Sequence, residues 1–494
     1  MKRILIILLV TGNFAYAGRA PSATDCTQAW EMLDTVRLEK KRQLERYFAM
    51  VTRKAHSILS DTLMGDFFRI KQEYYQLSKK AAPPPALTGN IIRLKELVRE
   101  RYLSTYLLFY DIMLIDVNGD VFYTVRKQAD YHKNIFTGEL GKTSLAKRLR
   151  SGAKTAFVDY SYYSVSEEPS AFMIEPVLDG EKLLGWFVLQ NAVNKINAMF
   201  SGGKEFGATG EVFLVNKTRS MLTDSRFLPS STILRKQLSA KNVEEKFRER
   251  KGHKIVTDYR GYRAMTSFEV IPVQGSEWLL IAKVDEDEVV TEKYMKNRSA
   301  MDALLQRAGS FPGSAVGMWQ EKQTGHCIAV DMDEFQRSGG DHCLATNGVS
   351  TCTAVIISLS GRFSYLAHVS PYDRVYGGTE TDLLGYVMKR IRNLEILPCE
   401  KRELSVVAVS PVNKSFSSLV DFFTGQGVFL SQIRMVCRQE MRYVNVTHES
   451  GAGQTVAEWV TDENERRVLT EMVSSLPTLG KLATSAGSGT TSKK

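Results

Sequence analysis

A cysteine and a histidine lie at the ends of two adjacent β-rich runs in residues 346–368, T-N-G-V-S-T-C-T-A-V-I-I-S-L-S-G-R-F-S-Y-L-A-H. Cys352 follows a turn that contains Gly348, and His368 closes the second run. Neighbouring strands would bring the thiol and the imidazole together. Acyl transfer needs a thiol, a base and a group that orients the base. Thr346 can orient His368 by a hydrogen bond, so these three residues form a candidate catalytic set.

The main alternative is a structural cysteine. A cysteine flanked by apolar residues is usually buried or half of a disulfide, and exported thiols oxidise readily. In favour of catalysis, the turn at 348–351 can direct backbone N–H groups towards a developing oxyanion. The residues leave both interpretations open.

The first residues predict a signal peptide over 1–17. Lys2 and Arg3 precede the apolar run Ile4–Val10, and Ala15-Tyr16-Ala17 forms a small-residue cleavage motif. The alternative, an uncleaved anchor, would need roughly 20 apolar residues. We therefore expect an exported protein, periplasmic or secreted, without stable membrane insertion.

The chain is long enough for two to four domains, and its net charge is +10 over 494 residues. The basic residues are scattered, and no RNA- or DNA-binding motif is present, which favours a solvated basic surface over nucleic-acid binding.

Periodicity predicts a long helix over 24–80, a second helix over 89–106, and then a repeated set of strands. A hairpin over Asp111–Val125 turns at Asn118-Gly119, and a second hairpin is expected over Glu211–Ser225. Three strand-like runs follow each hairpin, so an antiparallel-sheet module is duplicated. The expected fold class is α+β: a long N-terminal helix, two such modules, and a separate α/β domain.

Roughly residues 30–290 resemble the double Cache sensor region of bacterial chemoreceptors. The resemblance is carried by the segments "LIDVNGDVFYTV", "FVDYSYY", "GATGEVFLV", "TDYRGY" and "WLLIAKVDEDE". The resemblance implies two PAS-like modules and a small-molecule pocket in the first. In that module Asp159, Tyr160, Tyr163 and Phe172 form an aromatic and acidic group. Such a group suits a cationic amine or an amino acid, and strand packing is the alternative.

The pattern T-x-G-x-[ST]-x-C is followed by a strand and then by G-R-F-S-Y-L-A-H. This order resembles that of the chemoreceptor glutamine deamidase (CheD) family, and deamidating toxins share the arrangement. The resemblance implies that Cys352 is the nucleophile, His368 the base and Thr346 the orienting residue. It also implies a protein substrate with a reactive glutamine, and no cofactor. Ser350 and Thr351 depart from the family pattern, which has glycine and serine there.

Two His-Cys pairs, His326-Cys327 and His342-Cys343, are compatible with a zinc site or with a Cys327–Cys343 disulfide. We favour the disulfide in an exported protein and predict no metal. A calcium-binding EF-hand loop that begins at Asp331 is a further alternative. We reject it because His342 occupies the twelfth position, where such a loop needs glutamate.

These observations predict six segments: signal peptide 1–17, stalk and first Cache-like module 18–200, second module 201–290, linker helix 291–310, deamidase-like domain 311–461, and terminal helix and disordered tail 462–494. The leading hypothesis is an exported protein-glutamine deamidase with a ligand-binding Cache region. Alternatives are a non-catalytic ligand-binding protein whose last domain is an interaction module, and a thiol hydrolase acting on peptide bonds.

Overall fold

The computed structural model describes residues 27–59, 61–106, 109–152, 154–202, 206–309, 327–370, 383–461 and 469–486. The described chain forms two compact units. The N-terminal unit is Trp30–Val289 with Ile396–Lys401, and the C-terminal unit comprises the other described residues. No helix in these ranges is long and apolar enough to cross a membrane. The predicted signal peptide lies outside the described residues.

The N-terminal unit begins with three helices, α1 (Thr27–Leu59), α2 (Thr62–Ser78) and α3 (Pro85–Tyr106). The prediction of one continuous helix over 24–80 is wrong. The side chain of Asp61 accepts a hydrogen bond from the Leu63 N–H at 3.0 Å and caps the start of α2. The second predicted helix is confirmed and begins four residues earlier, at a proline that the first helical turn tolerates.

The first module is a five-stranded antiparallel sheet with strand order β2-β1-β5-β4-β3. The predicted hairpin is confirmed, and Gly119 supplies the positive φ, +90°, that its turn needs. The elements of the module are β1 (Asp111–Asp116), β2 (Val121–Thr124), α4 (Ser144–Arg150), β3 (Ala156–Tyr163), β4 (Glu168–Asp179), β5 (Lys182–Ala192) and α5 (Asn194–Phe200).

The second module is a four-stranded antiparallel sheet with order β6-β9-β8-β7. The three predicted strand runs are confirmed, but only the first arm of the second hairpin is a strand. The other arm meets β6 through one bridge, Val215 to Met221, and the Thr223 hydroxyl accepts a hydrogen bond from the Leu214 N–H at 3.1 Å. The elements are β6 (Glu211–Val215), α6 (Ala240–Glu249), β7 (Lys251–Thr257), β8 (Arg263–Val273) and β9 (Ser276–Asp285).

Two helices follow, α7 (Glu286–Met295) and α8 (Arg298–Gly309), where the sequence predicted one linker helix over 291–310. The break occurs at Asn297, whose side chain accepts the Ala300 N–H at 3.0 Å at the start of α8. The predicted single linker helix is therefore two helices, because Asn297 caps the start of the second one.

The C-terminal unit contains two five-stranded sheets, ordered β10-β12-β17-β18-β19 and β11-β14-β13-β15-β16. Both sheets contribute to one buried cluster, with Leu344 and Trp459 from the first and Ile356 and Leu366 from the second. The elements are β10 (Ile328–Ala329), β11 (Phe335–Ser338), β12 (Cys343–Val349), β13 (Thr353–Leu359), β14 (Phe363–Val369), α9 (Leu383–Arg390), β15 (Ser405–Ser410), α10 (Phe416–Gly425), β16 (Ile433–Cys437), β17 (Tyr443–Glu449), β18 (Gln454–Val460), β19 (Leu469–Met472) and α11 (Leu479–Ala486).

The end of the unit differs from the prediction. A terminal helix followed by a disordered tail was expected over 462–494, but 469–472 form strand β19, beside β18. Glu471 explains the difference, because its buried carboxylate accepts hydrogen bonds from Trp459 and Arg438 at 3.1 and 2.6 Å. The predicted disordered tail contains helix α11 instead, and residues 462–468 and 487–494 lie outside the described residues.

The fold class is α+β, as predicted: a long N-terminal helix, antiparallel sheets in both modules, and a separate mixed unit. The packing of two sheets around one core in the C-terminal unit was not predicted.

Candidate functional site

The three predicted catalytic residues come together at one end of the core between the two sheets of the C-terminal unit. In the β13–β14 ladder Ala354 lies directly opposite His368, and Cys352 precedes Ala354 by two residues. Cys352 and Ala354 both belong to the core cluster. Because side chains alternate along a strand, Cys352 and His368 are diagonal neighbours on the inner face. Thr346 enters from β12 in the facing sheet.

Thr346 anchors the imidazole. Its Oγ1 lies 2.8 Å from His368 Nδ1 and donates to the Val330 carbonyl at 2.7 Å. A hydroxyl has one proton, and a carbonyl can only accept. Since that proton goes to Val330, Oγ1 accepts from Nδ1, which must carry the ring proton. The hydrogen bonds therefore fix the neutral tautomer whose Nε2 has a free lone pair.

The Nε2 atom of His368 is buried and has no hydrogen-bond partner in the part of the chain that the structure describes. The Cys352 thiol forms no disulfide with any described cysteine, is buried, and contacts the thioether of Met332 at 3.8 Å. Thiol and imidazole thus make no hydrogen bond to each other in this conformation. Catalytic hydrogen bonds often form only once a substrate is bound.

The electrostatics favour a neutral pair at rest. Burial lowers the pKa of His368, with an opposing effect of Asp333 and Asp331. Burial also raises the pKa of the Cys352 thiol, and a hydrogen bond with Thr351 opposes that effect. A neutral base beside a neutral thiol can act by general-base catalysis at the moment of attack, without a thiolate in the resting state.

The loop between β10 and β11 holds His368 from the other side. Its backbone bonds to His368 twice: the Asp333 N–H donates to the His368 carbonyl at 2.7 Å, and the His368 N–H donates to the Glu334 carbonyl at 3.1 Å. In the sequence, this loop suggested only a calcium-binding EF-hand, which was rejected. A contact through backbone atoms has no side-chain signature, so the role of Val330 could not be predicted.

The structure joins Cys327 and Cys343 by a disulfide with a Cα–Cα distance of 4.5 Å. The bridge ties the start of β10 to the start of β12, two strands that run parallel with Ile328 opposite Leu344. It therefore fixes the loop carrying Val330 beside the strand carrying Thr346. The two sulfurs are bonded to each other, and nowhere in the described ranges do three or more His, Cys, Asp or Glu side chains form a metal site. His326 lies outside the described residues.

The four predicted ligand residues of the first module separate into two pairs. Asp159 accepts the Trp278 indole N–H at 3.0 Å, and Tyr160 also contacts that ring. Tyr163 and Phe172 pack edge to face at 5.0 Å in a different core cluster. The predicted group is therefore not one site.

A polar cluster that the sequence did not indicate lies beside Tyr163, and we define it as Asp111, Asp130, Tyr163 and Gln190. Asp111 pairs with Gln190 across β1 and β5, so their side chains share a face, and Tyr163 donates to Asp130 at 2.9 Å. Each of the four is 2% exposed or less. Three buried oxygens lack a hydrogen-bond partner among the described residues: Asp111 Oδ2, Asp130 Oδ1 and Gln190 Oε1.

The polar cluster places two buried carboxyl groups, those of Asp111 and Asp130, close to each other. Burial raises the pKa of Asp111 to about 6 despite three backbone hydrogen bonds, and the charge of Asp130 adds to the rise. Burial likewise raises the pKa of Asp130, opposed by the Tyr163 hydrogen bond. Buried acceptors without donors are costly. A cation that carries N–H donors would satisfy them.

No protein-family profile and no curated protein matches the chain. Among solved structures, it is similar to the ligand-binding domain of the Pseudomonas aeruginosa amino-acid chemoreceptor PctC in complex with GABA, at 16% identity over 52% of this chain and 99% of that one, with a TM-score of 0.35. The periplasmic sensory domain of a Campylobacter jejuni chemoreceptor matches at 12% identity over 54% and 98%, with a TM-score of 0.38. The ligand-binding domain of a Pseudomonas fluorescens chemoreceptor in complex with L-isoleucine matches at 14% identity over 53% and 97%, with a TM-score of 0.33. At these values the similarity assigns no family, ligand or activity.

Proposed function

We propose that the first module binds a small cationic molecule, an amine or an amino acid, at the polar cluster. The observation that carries this proposal is the set of three buried acceptor oxygens without partners, on Asp111, Asp130 and Gln190. An ammonium group has three N–H donors and would match one to each oxygen. Its positive charge would also compensate the two carboxylates.

The test is calorimetric titration of the full chain with methylammonium, putrescine, γ-aminobutyrate and a panel of amino acids. Asp130→Asn should weaken binding at least tenfold, because the amide removes the charge and keeps the shape. Asp179→Asn is the matched control, since that side chain is 61% exposed. Unchanged affinity in Asp130→Asn, or no binding by the whole panel, would refute the proposal.

We further propose that the C-terminal unit is a cysteine-dependent hydrolase of glutamine side-chain amides in a protein substrate. The supporting observation is the Thr346–His368 hydrogen bond, which leaves Nε2 free to act as a base near Cys352. The glutamine target rests on the sequence resemblance to the chemoreceptor deamidases.

In the proposed reaction, His368 Nε2 takes the thiol proton and the sulfur attacks the carboxamide carbon of glutamine. The tetrahedral intermediate collapses when the imidazolium returns the proton to the leaving nitrogen, and ammonia departs. Water then attacks the thioester with His368 as the base, giving glutamate and free Cys352. The sum is glutamine plus water to glutamate plus ammonia, and no cofactor is required.

The assay is ammonia release and a mass gain of about one dalton in glutamine-containing peptides and casein. Cys352→Ala and His368→Asn should each abolish turnover, and Cys399→Ala should retain it because that cysteine is exposed and lies outside the site. Peptide cleavage in place of ammonia release would identify a peptidase. No reaction on any substrate, with Cys352 unreactive in the native protein, would favour the non-catalytic interaction module.

A further inference from the structure

The second module contains a small pocket between helix α6 and its sheet, separate from both sites described above. We call it the α6 pocket. It has a volume of about 70 Å³, and its wall is mostly apolar, with Phe213, Leu238, Val243 and Ile281 among the lining residues. Lys246 from α6 also lines it.

Lys246 is a buried cation without a counter-ion. The residue is only 2% exposed, and among the described residues no carboxylate and no hydrogen-bond acceptor pairs with its ammonium group. That group lies over the Phe268 ring, at 5.5 Å from the ring centroid. A buried charge that lacks a partner is strongly unfavourable, so a protein that retains one usually uses it.

The neighbouring carboxylates are engaged elsewhere. Glu245 and Glu249 both bind Lys254, each at 2.7 Å. Asp258, which also lines the pocket, is held by Lys283 and Arg260, each at 2.8 Å. Burial lowers the pKa of Lys246 to about 8, with a further contribution from Lys254, so the amine is still mainly protonated at pH 7. Glu245 and Glu249 oppose this lowering from a distance, but among the described residues no carboxylate forms an ion pair with the Lys246 ammonium group.

We propose that the α6 pocket binds a short-chain monocarboxylate of the size of acetate, with Lys246 as its counter-ion. The carboxylate supplies the missing negative charge, and the apolar wall contacts the alkyl group. Size favours the smallest members of this class, because an apolar cavity of about 150 Å³ holds the six carbon atoms of benzene, and about half that volume corresponds to roughly three non-hydrogen atoms, close to the four of acetate.

The experiment measures the thermal stability of the full chain in 20 mM sodium acetate, sodium propionate or sodium chloride, with saturation-transfer NMR on acetate as a direct binding signal. For a Kd of about 1 mM, acetate should raise the Tm by about 3–6 °C over chloride. Lys246→Met should lose both the shift and the NMR signal. Lys241→Met, an exposed lysine on the same helix, is the control and should retain them.

Leu238→Phe keeps the lysine and fills the pocket, so it tests the proposal if Lys246→Met does not fold. It should also lose the acetate response. Equal stabilisation by chloride, an acetate response that survives in both Lys246→Met and Leu238→Phe, or no response in the wild type would overturn the proposal.

Discussion

The thioether of Met332 covers the thiol of Cys352, with the two sulfur atoms 3.8 Å apart. Met332 is 61% exposed, whereas Cys352 is 6% exposed, so a surface side chain lies against the buried thiol. Methionine is unbranched and flexible, and a substrate can displace it at little cost. Access to the candidate nucleophile is therefore controlled by one residue of the loop that also holds His368.

This arrangement predicts an order of thiol reactivity in the native, unreduced protein. Cys399 is exposed and should react first with iodoacetamide, Cys352 should follow slowly, and Cys437 should react last because burial raises its pKa to about 11. Met332→Ala should accelerate labelling of Cys352 roughly tenfold and leave Cys437 unchanged. Peptide mapping by mass spectrometry measures all three rates. A Cys352 that stays unlabelled even in Met332→Ala would contradict an accessible thiol.

The tautomer of His368 should depend on Thr346. In Thr346→Val the Nδ1–H group loses its acceptor, so the proton should move to Nε2 and turnover should fall about 10- to 100-fold. Thr346→Ser keeps the hydroxyl and should retain both tautomer and rate. The ¹⁵N chemical shifts of the imidazole report the tautomer independently of activity, with His368→Gln to assign the signals. The same shifts in Thr346→Val and wild type would show that Thr346 does not set the tautomer.

The sequence predicted the strands that carry this site because their pattern is local. β13 and β14 are unbroken runs of β-forming residues ended by turn residues, and that pattern needs no knowledge of distant contacts. The placement of Thr346 beside His368 agrees with the role inferred from spacing. The Val330 carbonyl and the cover by Met332 depend on tertiary packing, which leaves no mark in the local pattern.

The polar cluster was missed for a similar reason. Asp111 appears in the sequence as the first residue of a hairpin, and Asp130 as part of a loop, so neither stands out. Only the pairing of β1 with β5 brings Asp111 to Gln190. Asp159 stood out because aromatic residues flank it, but its partner is the indole of Trp278, more than one hundred residues away in sequence.

The Cys327–Cys343 disulfide should stabilise the C-terminal unit. It closes a loop with a sequence separation of 16, and chain-entropy estimates for such a loop give about 3 kcal/mol. The double variant Cys327→Ser/Cys343→Ser should therefore lower the unfolding free energy of this unit by about that amount in urea titrations. It should also lower turnover, because only hydrogen bonds then hold Val330 beside Thr346. Cys399→Ser is the control. Equal stability of the double variant and the wild type would contradict the expected role.

The stability of the ligand-free protein should fall as the pH rises from about 4 to about 6, because of Asp111. Its folded-state pKa is about 6, raised by burial from an ordinary 3.8, so the folded state holds a proton that the unfolded state releases. The stabilisation is complete below the ordinary pKa and is lost as the pH passes through the folded one, with a total of about 3 kcal/mol. The Asp111→Asn variant lacks this ionisable group, so its stability should lack this contribution to the pH dependence.

The difference in unfolding free energy between Asp111→Asn and wild type should accordingly grow with pH, in favour of the variant, and level off above pH 7. Urea titrations at pH 4.5, 5.5 and 7.5 measure it, and Asp179→Asn, an exposed carboxylate, provides the matched control. A cationic ligand needs the ionised carboxylate, so affinity in the wild type should rise over the same range and the proton should be released on binding. A constant difference across the three pH values would show that Asp111 titrates normally and that the polar cluster does not concentrate negative charge.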